Sequence, residues 1–224
     1  MGRLIKFVLA VLSIPFLISA SYALYAELGK VYSLDQNQRY FLLGAVAYLV
    51  VHIVLFKPNF LYIFGHELTH AFATLISFGK VKSFKVSKKG GTVKTTKVNI
   101  FINLAPYFFP TYTLLLSLAW VIARKFWQID DLVYGFLFLI GFSLVFHFVM
   151  TVEFLKTKQP DLIKSGYLFS LALIYLANIS VAAFIMNLIF PDVSFKSYLN
   201  TSYVVAKDIY ISFFNQLFSA RTSS

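Results

Sequence analysis

Cysteine is absent from the 224-residue sequence, and charged residues are scarce. Asp, Glu, Lys and Arg make up only 13% of the chain, against about 25% in a typical soluble domain. Without cysteine there is no disulfide framework and no thiolate metal site, so any metal must be bound by His and carboxylate side chains. The hydrophobic fraction of 59% and the mean hydropathy of +0.75 exclude an ordinary soluble domain and indicate an integral membrane protein.

Acidic residues are the scarcer of the two charges. The chain has 9 Asp and Glu against 20 Lys and Arg, which gives a net charge of +11. In a membrane protein such an excess is typical of cytoplasmic loops and of contact with lipid headgroups. We therefore expect the lipid bilayer as a partner and no nucleic acid.

Long apolar runs separated by short polar loops indicate the fold. We predict a single integral membrane domain over 1–224, an all-α bundle of about five to six transmembrane helices with a small β-hairpin insertion. The predicted segments are transmembrane helices at 4–28, 40–56, 100–123, 132–155 and 162–190, a helix at 59–78, a hairpin at 79–98 and a C-terminal helix at 194–220. The short loops favour a multi-pass protein of a bacterial inner membrane.

The two ends of the chain each allow an alternative. Residues 1–21 resemble a cleaved signal peptide in part, but the apolar run continues through Tyr25 and favours a retained first helix. The 194–220 segment is predicted to be an amphipathic helix at the membrane surface, or else a weak last span.

His66, Glu67 and His70 form an H-E-x-x-H pattern in the middle of the 59–78 helix. Residues four apart lie on one face of a helix, so His66 and His70 can bind one metal ion and Glu67 can act on a water held by it. Catalytic zinc takes three protein ligands and leaves a fourth position for water. The pattern therefore predicts a Zn²⁺ site with Glu67 as the catalytic base. The alternative is a core helix whose histidines only hydrogen-bond to neighbours, which is costly unless the groups are paired.

The third ligand must come from elsewhere in the fold. The candidates are His147, Glu153 and Asp161 beyond the helix and His52 before it. Asn103 is a candidate for substrate binding, because Pro106 and Pro110 interrupt its helix. Irregular backbone at membrane depth is tolerated where it is buried in protein or lines a wet cavity. A simple helix kink is the alternative.

The 79–98 segment alternates apolar and polar residues around Gly90-Gly91, which predicts a hairpin with its turn at the glycines. A free strand edge can bind an extended peptide by strand addition. Alternatively, the lysines of the hairpin only face lipid headgroups and set the topology. There are seven of them: Lys80, Lys82, Lys85, Lys88, Lys89, Lys94 and Lys97.

These motifs together resemble those of the site-2-protease family of intramembrane zinc metallopeptidases. The stretches GHELTHAFATLISFGKVKSFKVSKKGG, NLAPYFFPTYT and QPDLIKSGYLFS are similar to a small bacterial branch of that family, and the likeness covers roughly residues 40–190. The resemblance implies a zinc ion held by the two histidines and an aspartate. It also implies that membrane proteins are cut within their transmembrane segments and that the hairpin presents the substrate.

One position departs from the family pattern. In the best-known members the aspartate lies in an N-x-x-P-x-x-x-x-D-G motif. Asn103 and Pro106 match the start of this motif, but Thr111 and Tyr112 stand at its D-G positions, and threonine is a poor zinc ligand. The third ligand is therefore expected elsewhere.

We predict Asp161 as the third ligand, because it lies in the family-like QPDLIKSG stretch and opens a membrane helix. Glu153 is the second choice. The predicted function is that of an intramembrane zinc metalloprotease that hydrolyses peptide bonds of membrane-embedded or membrane-anchored proteins. The alternatives are an inactive homologue that binds membrane protein clients, and a membrane metal-binding or transport protein. Glu67 favours the protease, since a pure binding site needs no general base.

Overall fold

The computed structural model describes residues 2–219, which are mainly helical. The helices, in chain order, are α1 (Arg3–Leu12), α2 (Ile14–Leu28), α3 (Gln36–Val50), α4 (Asn59–Ile76), α5 (Ile100–Leu104), α6 (Thr111–Phe126), α7 (Val133–Leu155), α8 (Pro160–Ser165), α9 (Tyr167–Ile189) and α10 (Phe195–Ser219). Two strands, β1 (Val81–Ser87) and β2 (Gly90–Thr95), lie between α4 and α5. A π-helical turn (Val51–Leu55) extends α3.

Four helical stretches in the described part of the chain are long and apolar enough to cross a membrane. They are Arg3–Leu28, Gln36–Leu55, Asp130–Leu155 and Tyr167–Ile189. The pair Ile100–Tyr107 and Thr111–Phe126, bent by 81°, makes a fifth if it is counted as one broken span. Pro110 lies between these two helices and explains the bend, because proline removes a backbone donor and clashes with the preceding turn. These stretches suggest a membrane protein, and the count of five to six spans stays a prediction.

The chain divides into two compact units, residues 34–165 and residues 2–33 with 166–219. In the first unit, α3 and α7 approach closely at two glycines. A methyl group at Gly44 would lie 1.9 Å from the carbonyl oxygen of Phe138, and one at Gly141 would lie 2.0 Å from that of Phe41. Small residues of this kind let membrane helices pack backbone to backbone. The contact fixes α7 against α3.

An aromatic cluster fastens α4 to the α3–α7 pair. Tyr48 of α3, Tyr62 of α4, and Phe146 and Met150 of α7 are buried together. The hydroxyl groups of Tyr62 and Thr151 are 3.2 Å apart and form a buried hydrogen bond. The first half of α4 is thus held in place just before the H-E-x-x-H pattern.

The turn of the hairpin lies two residues earlier than the sequence predicts. β1 and β2 are antiparallel, with Phe84 opposite Val93 and Val86 opposite Gly91. The turn residues are Lys88-Lys89 rather than Gly90-Gly91. Gly90 begins β2 with φ of +154°, a conformation open to glycine. Gly91 is needed for a different contact, described below.

The predicted helix 162–190 is two helices. Gly166 separates α8 from α9 and has φ of +94°, in the left-handed region that favours glycine and ends a helix. Pro160 begins α8, a position where its missing N–H costs nothing. A separate short helix therefore carries Asp161.

The second unit is built on α2, α9 and α10. Ala20 and Ala23 of α2 pack against Ala183 of α9 and Tyr198 of α10. Glu27 at the end of α2 is buried, and its carboxylate accepts a hydrogen bond from the backbone N–H of Ser194 at 2.8 Å, just before α10. A carboxylate there favours the start of a helix. The predicted end of the C-terminal helix, residue 220, lies outside the described residues.

Candidate metal site

His66, His70 and Asp161 come together in the 34–165 unit. The two histidine rings lie one turn apart on α4, with centroids 4.9 Å from each other. The Oδ2 atom of Asp161, in the first turn of α8, is 3.4 Å from His70 Nε2 and 3.9 Å from His66 Nε2. One ligand atom from each residue lies within 4.8 Å of the other two. Among residues 2–219, this group could hold a metal ion.

The separations suit a shared ion better than direct pairing. An N–H···O hydrogen bond spans about 2.7–3.2 Å, which is shorter than both histidine–aspartate distances. Around a tetrahedral zinc ion with bonds of about 2.0–2.1 Å, neighbouring ligand atoms lie about 3.4 Å apart. The distances of 3.4 and 3.9 Å are close to this value. The three side chains are therefore close enough together to hold one ion.

A backbone carbonyl sets the orientation of His70. Its Nδ1 lies 2.8 Å from the carbonyl oxygen of Ile102 on α5, and since a carbonyl only accepts, the proton is on Nδ1. The lone pair of the neutral ring is then on Nε2, which faces Asp161. This is the usual support of a metal-binding histidine. The side chain of Asn99 caps α5 by accepting from the Ile102 N–H at 2.7 Å, so the carbonyl is held in turn.

Packing rather than hydrogen bonding orients His66. Its Nδ1 is the buried side-chain nitrogen or oxygen that lacks a partner within residues 2–219. The ring stands edge-on to Tyr107, with centroids 4.9 Å apart, and lies 6.0 Å from the ring of Tyr62. Both tyrosines are buried. These rings restrict the imidazole so that its Nε2 points towards Asp161.

The carboxylate of Asp161 is kept in its charged form. Burial acts to raise its pKa, but hydrogen bonds and charge from the two neighbouring imidazoles, when these carry a proton on Nε2, outweigh burial and hold the pKa below its usual range. An ionised carboxylate is the form that binds a metal. Asp161 is therefore ready to act as a ligand across the neutral pH range.

Glu67 lies under the hairpin. Its side chain is buried, with 8% of the residue exposed. A methyl group at Gly91 would lie 2.3 Å from Glu67 Cγ and 2.7 Å from Oε1, so the backbone of β2 can approach this carboxylate only because residue 91 is glycine. The backbone N–H of Val93 also faces the carboxylate. The Gly90-Gly91 pair looked like a turn in the sequence, and the contact with Glu67 has no local sequence signal.

A cleft of about 460 Å³ opens beside His66 and Glu67. The hairpin turn forms one wall, and the segment before α4 with the end of α7 forms the other. The remaining lining residues are Lys57, Asn59, Ile63, Lys88, Lys89, Gly90, Gly91, Glu153, Phe154, Thr157 and Gln159. A base and a candidate metal ligand are thus accessible from one opening.

The other ligand candidates are not part of the three-residue group. Glu153 pairs with Lys57 at 2.9 Å and with Lys156 at 2.8 Å. His147 is buried in α7. The Nδ1 atom of His52 lies 3.1 Å from the hydroxyl of Tyr48, so this histidine has a local partner.

Two residues of the family-like N-x-x-P stretch make structural contacts. The Asn103 side chain donates to Ser165 Oγ at 3.1 Å and so ties α5 to α8. It does not line the cleft, and its role in substrate binding stays a prediction. Thr111, at the position of the family aspartate, hydrogen-bonds through its hydroxyl to Thr69 of α4. Thr111 thereby connects α6 to α4.

A scan of protein-family models, a search of curated proteins and a search of solved structures found no match to this chain. The resemblance to the site-2 proteases therefore depends on the motif residues themselves. What the protein does is argued below from its geometry.

Proposed function

We propose that this protein is a zinc-dependent intramembrane metalloprotease that cuts membrane-embedded or membrane-anchored proteins. The observation that carries the proposal is the group of His66, His70 and Asp161, which offers three ligand atoms, together with the cleft that His66 and Glu67 line side by side. A metal site made only for binding has no use for a general base in this position. This favours hydrolysis over client binding or metal transport.

The donor set supports zinc. Two imidazole nitrogens and one carboxylate oxygen match the sets of three protein ligands that catalytic zinc uses, with a fourth position left for water. Calcium and magnesium prefer sites made of oxygen ligands. The hydrogen bond from His70 Nδ1 to the Ile102 carbonyl is the further support that zinc-binding histidines usually have.

The chain's own residues account for the proton transfers. Zinc, when bound, polarises the substrate carbonyl and lowers the pKa of water towards neutrality. Glu67 accepts a proton from the attacking water as the water oxygen bonds to the carbonyl carbon. It then gives that proton to the amide nitrogen as the C–N bond breaks. One water is consumed, and a carboxylic acid and an amine are formed with no change in oxidation state; at neutral pH the acid proton passes to the amine, which leaves a carboxylate and an ammonium group.

The membrane setting supports the substrate class. Four helical stretches in the described part of the chain are long and apolar enough to span a bilayer. Among the same residues β1 and β2 pair only with each other, so the hairpin next to the cleft offers an outer strand edge that can pair with an extended peptide. A helical segment must unwind locally before a metalloprotease can cut it, and strand pairing would satisfy its freed backbone groups. A multi-pass protein of a bacterial inner membrane agrees with this proposal.

The experiment measures zinc content and cleavage of a membrane-embedded reporter by the purified, reconstituted protein. Wild type should bind one zinc per chain and cut the reporter. Glu67→Gln should keep its zinc and lose cleavage, whereas Asp161→Ala should lose zinc as well. Glu153→Gln is the matched carboxylate control and should keep its zinc. Zinc retained in Asp161→Ala and lost in Glu153→Gln would show that the ligand set is wrong, and zinc binding without any cleavage would favour client binding.

A further inference from the structure

The lysines of the hairpin fall into two groups. Lys88 and Lys89, the turn residues, line the cleft that contains His66 and Glu67. The other five, Lys80, Lys82, Lys85, Lys94 and Lys97, do not line it. Lys88 and Lys89 thus lie at the proposed active site, whereas the other five lysines are available to lipid headgroups.

The charges lining the cleft do not balance. Its cationic residues are Lys57, Lys88 and Lys89, and its acidic residues are Glu67 and Glu153. Glu153 is already shared between Lys57 and Lys156, and Glu67 is buried beneath β2.

Lys88 and Lys89 therefore keep an excess of positive charge at the cleft. Both are exposed, and neither forms an ion pair within the part of the chain that the structure describes. A bound peptide that brought a carboxylate to this side of the cleft would neutralise them.

The hairpin determines the distance between the lysine pair and Glu67, the proposed base. Gly91 touches Glu67, and Lys89 is two residues before it. Two extended residues span about 7 Å, which is also the length of two residues in an extended substrate. The backbone of the lysine pair therefore lies within about two to three residues' length of the contact with Glu67, so the ammonium groups can reach a substrate side chain at about that distance from the bond being cut.

We propose that Lys88 and Lys89 form a subsite that recognises an acidic side chain of the substrate, about two to three residues from the scissile bond. The inference rests on the proposed function, because the cleft is taken to hold the peptide. It assigns the lysine pair to the substrate rather than to lipid, since the pair shares its cleft with Glu67. The remaining hairpin lysines are left to face headgroups.

The test uses two transmembrane peptides that differ only by Asp or Asn, with the substituted position moved stepwise along a series. Binding is measured to the Glu67→Gln protein in vesicles of phosphatidylcholine, which carry no net charge. At the best position the Asp peptide should bind roughly fivefold more tightly than the Asn peptide at about 0.1 M salt, and less so at higher salt, as expected for two exposed ion pairs.

Charge-reversal variants assign the effect to the lysine pair. Lys88→Glu/Lys89→Glu should abolish or reverse the preference for Asp, and the milder Lys88→Gln/Lys89→Gln should abolish it. The matched control Lys82→Glu/Lys94→Glu makes the same change in net charge on the same hairpin outside the cleft, and should keep the preference. Zinc content shows that each variant is folded.

Equal binding of the Asp and Asn peptides at every position would overturn the subsite. So would an equal loss in the control, which would make the effect one of overall charge. If the lysine pair changes binding to anionic vesicles but not the peptide preference, the pair contacts lipid and the proposal is wrong.

Cleavage by the wild-type protein separates this inference from the function it rests on. If both peptides are cut at the same rate, the protease stands and the subsite is overturned. If the Asp peptide binds preferentially through the lysines and neither is cut, the protease proposal fails and the acidic binding site remains.

Discussion

Replacement of Gly91 by alanine tests whether the hairpin positions Glu67, the proposed catalytic base. The added methyl group would lie 2.3 Å from Glu67 Cγ, whereas ordinary van der Waals contact begins at 3.4 Å. One of the two must therefore move by about 1.1 Å, the difference between these values. A misplacement of about 1 Å in an active site costs on the order of 100-fold in rate. We expect kcat/KM to fall by about that factor while zinc remains bound, because the three atoms nearest to the added methyl group all belong to Glu67 and not to a proposed zinc ligand.

The assay follows cleavage of a fluorogenic membrane peptide and zinc content in the same preparations. Gly135→Ala is the matched control, since a methyl group there meets no atom within 4 Å. It should leave both readings unchanged. Wild-type activity in Gly91→Ala, together with loss of activity in Glu67→Gln, would refute the view that the hairpin backbone positions Glu67.

Three further predictions concern the support of the site, the helix packing and pH. Asn103→Ala removes the hydrogen bond to Ser165 and should weaken zinc binding about 10- to 100-fold in a chelator competition; unchanged affinity would contradict a positioning role. Gly141→Ala, whose methyl would lie 2.0 Å from a carbonyl oxygen, should lower the free energy of unfolding by at least about 1–3 kcal/mol in detergent melts, and Gly135→Ala should not. Zinc affinity should fall as the pH is lowered, mainly below about pH 6.5, because a ligand imidazole must be neutral and burial lowers the pKa of His66 below its ordinary value of about 6.5. The pKa of Asp161 is below its usual range, so its carboxylate stays ionised and can bind zinc at every pH above the ordinary pKa of about 3.9. A steep loss of zinc affinity confined to the region near pH 4 would therefore contradict this account.

The sequence predicts the part of the site that lies on one helix. His66 and His70 come together because residues four apart share a face, and this depends only on α4 being helical. Asp161 is different, because the position of its short helix depends on the end of that helix at Gly166 and on the hydrogen bond from Asn103 to Ser165. No periodicity records such contacts, so the sequence could offer only a short set of candidates for the third ligand.

The hairpin shows why a local signal can be assigned to the wrong cause. A Gly-Gly pair between alternating residues is typical of a turn, yet the turn lies at Lys88-Lys89. Gly91 is required by the approach of β2 to Glu67, which is a tertiary contact. The candidate membrane spans, unlike the hairpin turn, are indicated by the length and hydropathy of the apolar runs alone. The break before Thr111 follows from the chemistry of Pro110, which is visible in the sequence.

The position of the family aspartate is likewise resolved only in three dimensions. Thr111 hydrogen-bonds to Thr69 of α4, while the carboxylate near the histidines comes from Asp161. A linear motif cannot show which carboxylate the fold brings close to the two histidines.

The most direct test of a zinc-dependent hydrolase in the membrane is mass spectrometry of a reconstituted transmembrane substrate incubated in oxygen-18 water. The account predicts a cut within the transmembrane segment and one oxygen-18 atom in the new C-terminal carboxylate, formed by the wild type and not by Glu67→Gln at equal zinc content. Intact substrate after incubation with zinc-loaded wild type, or the same labelled product from Glu67→Gln, would contradict it.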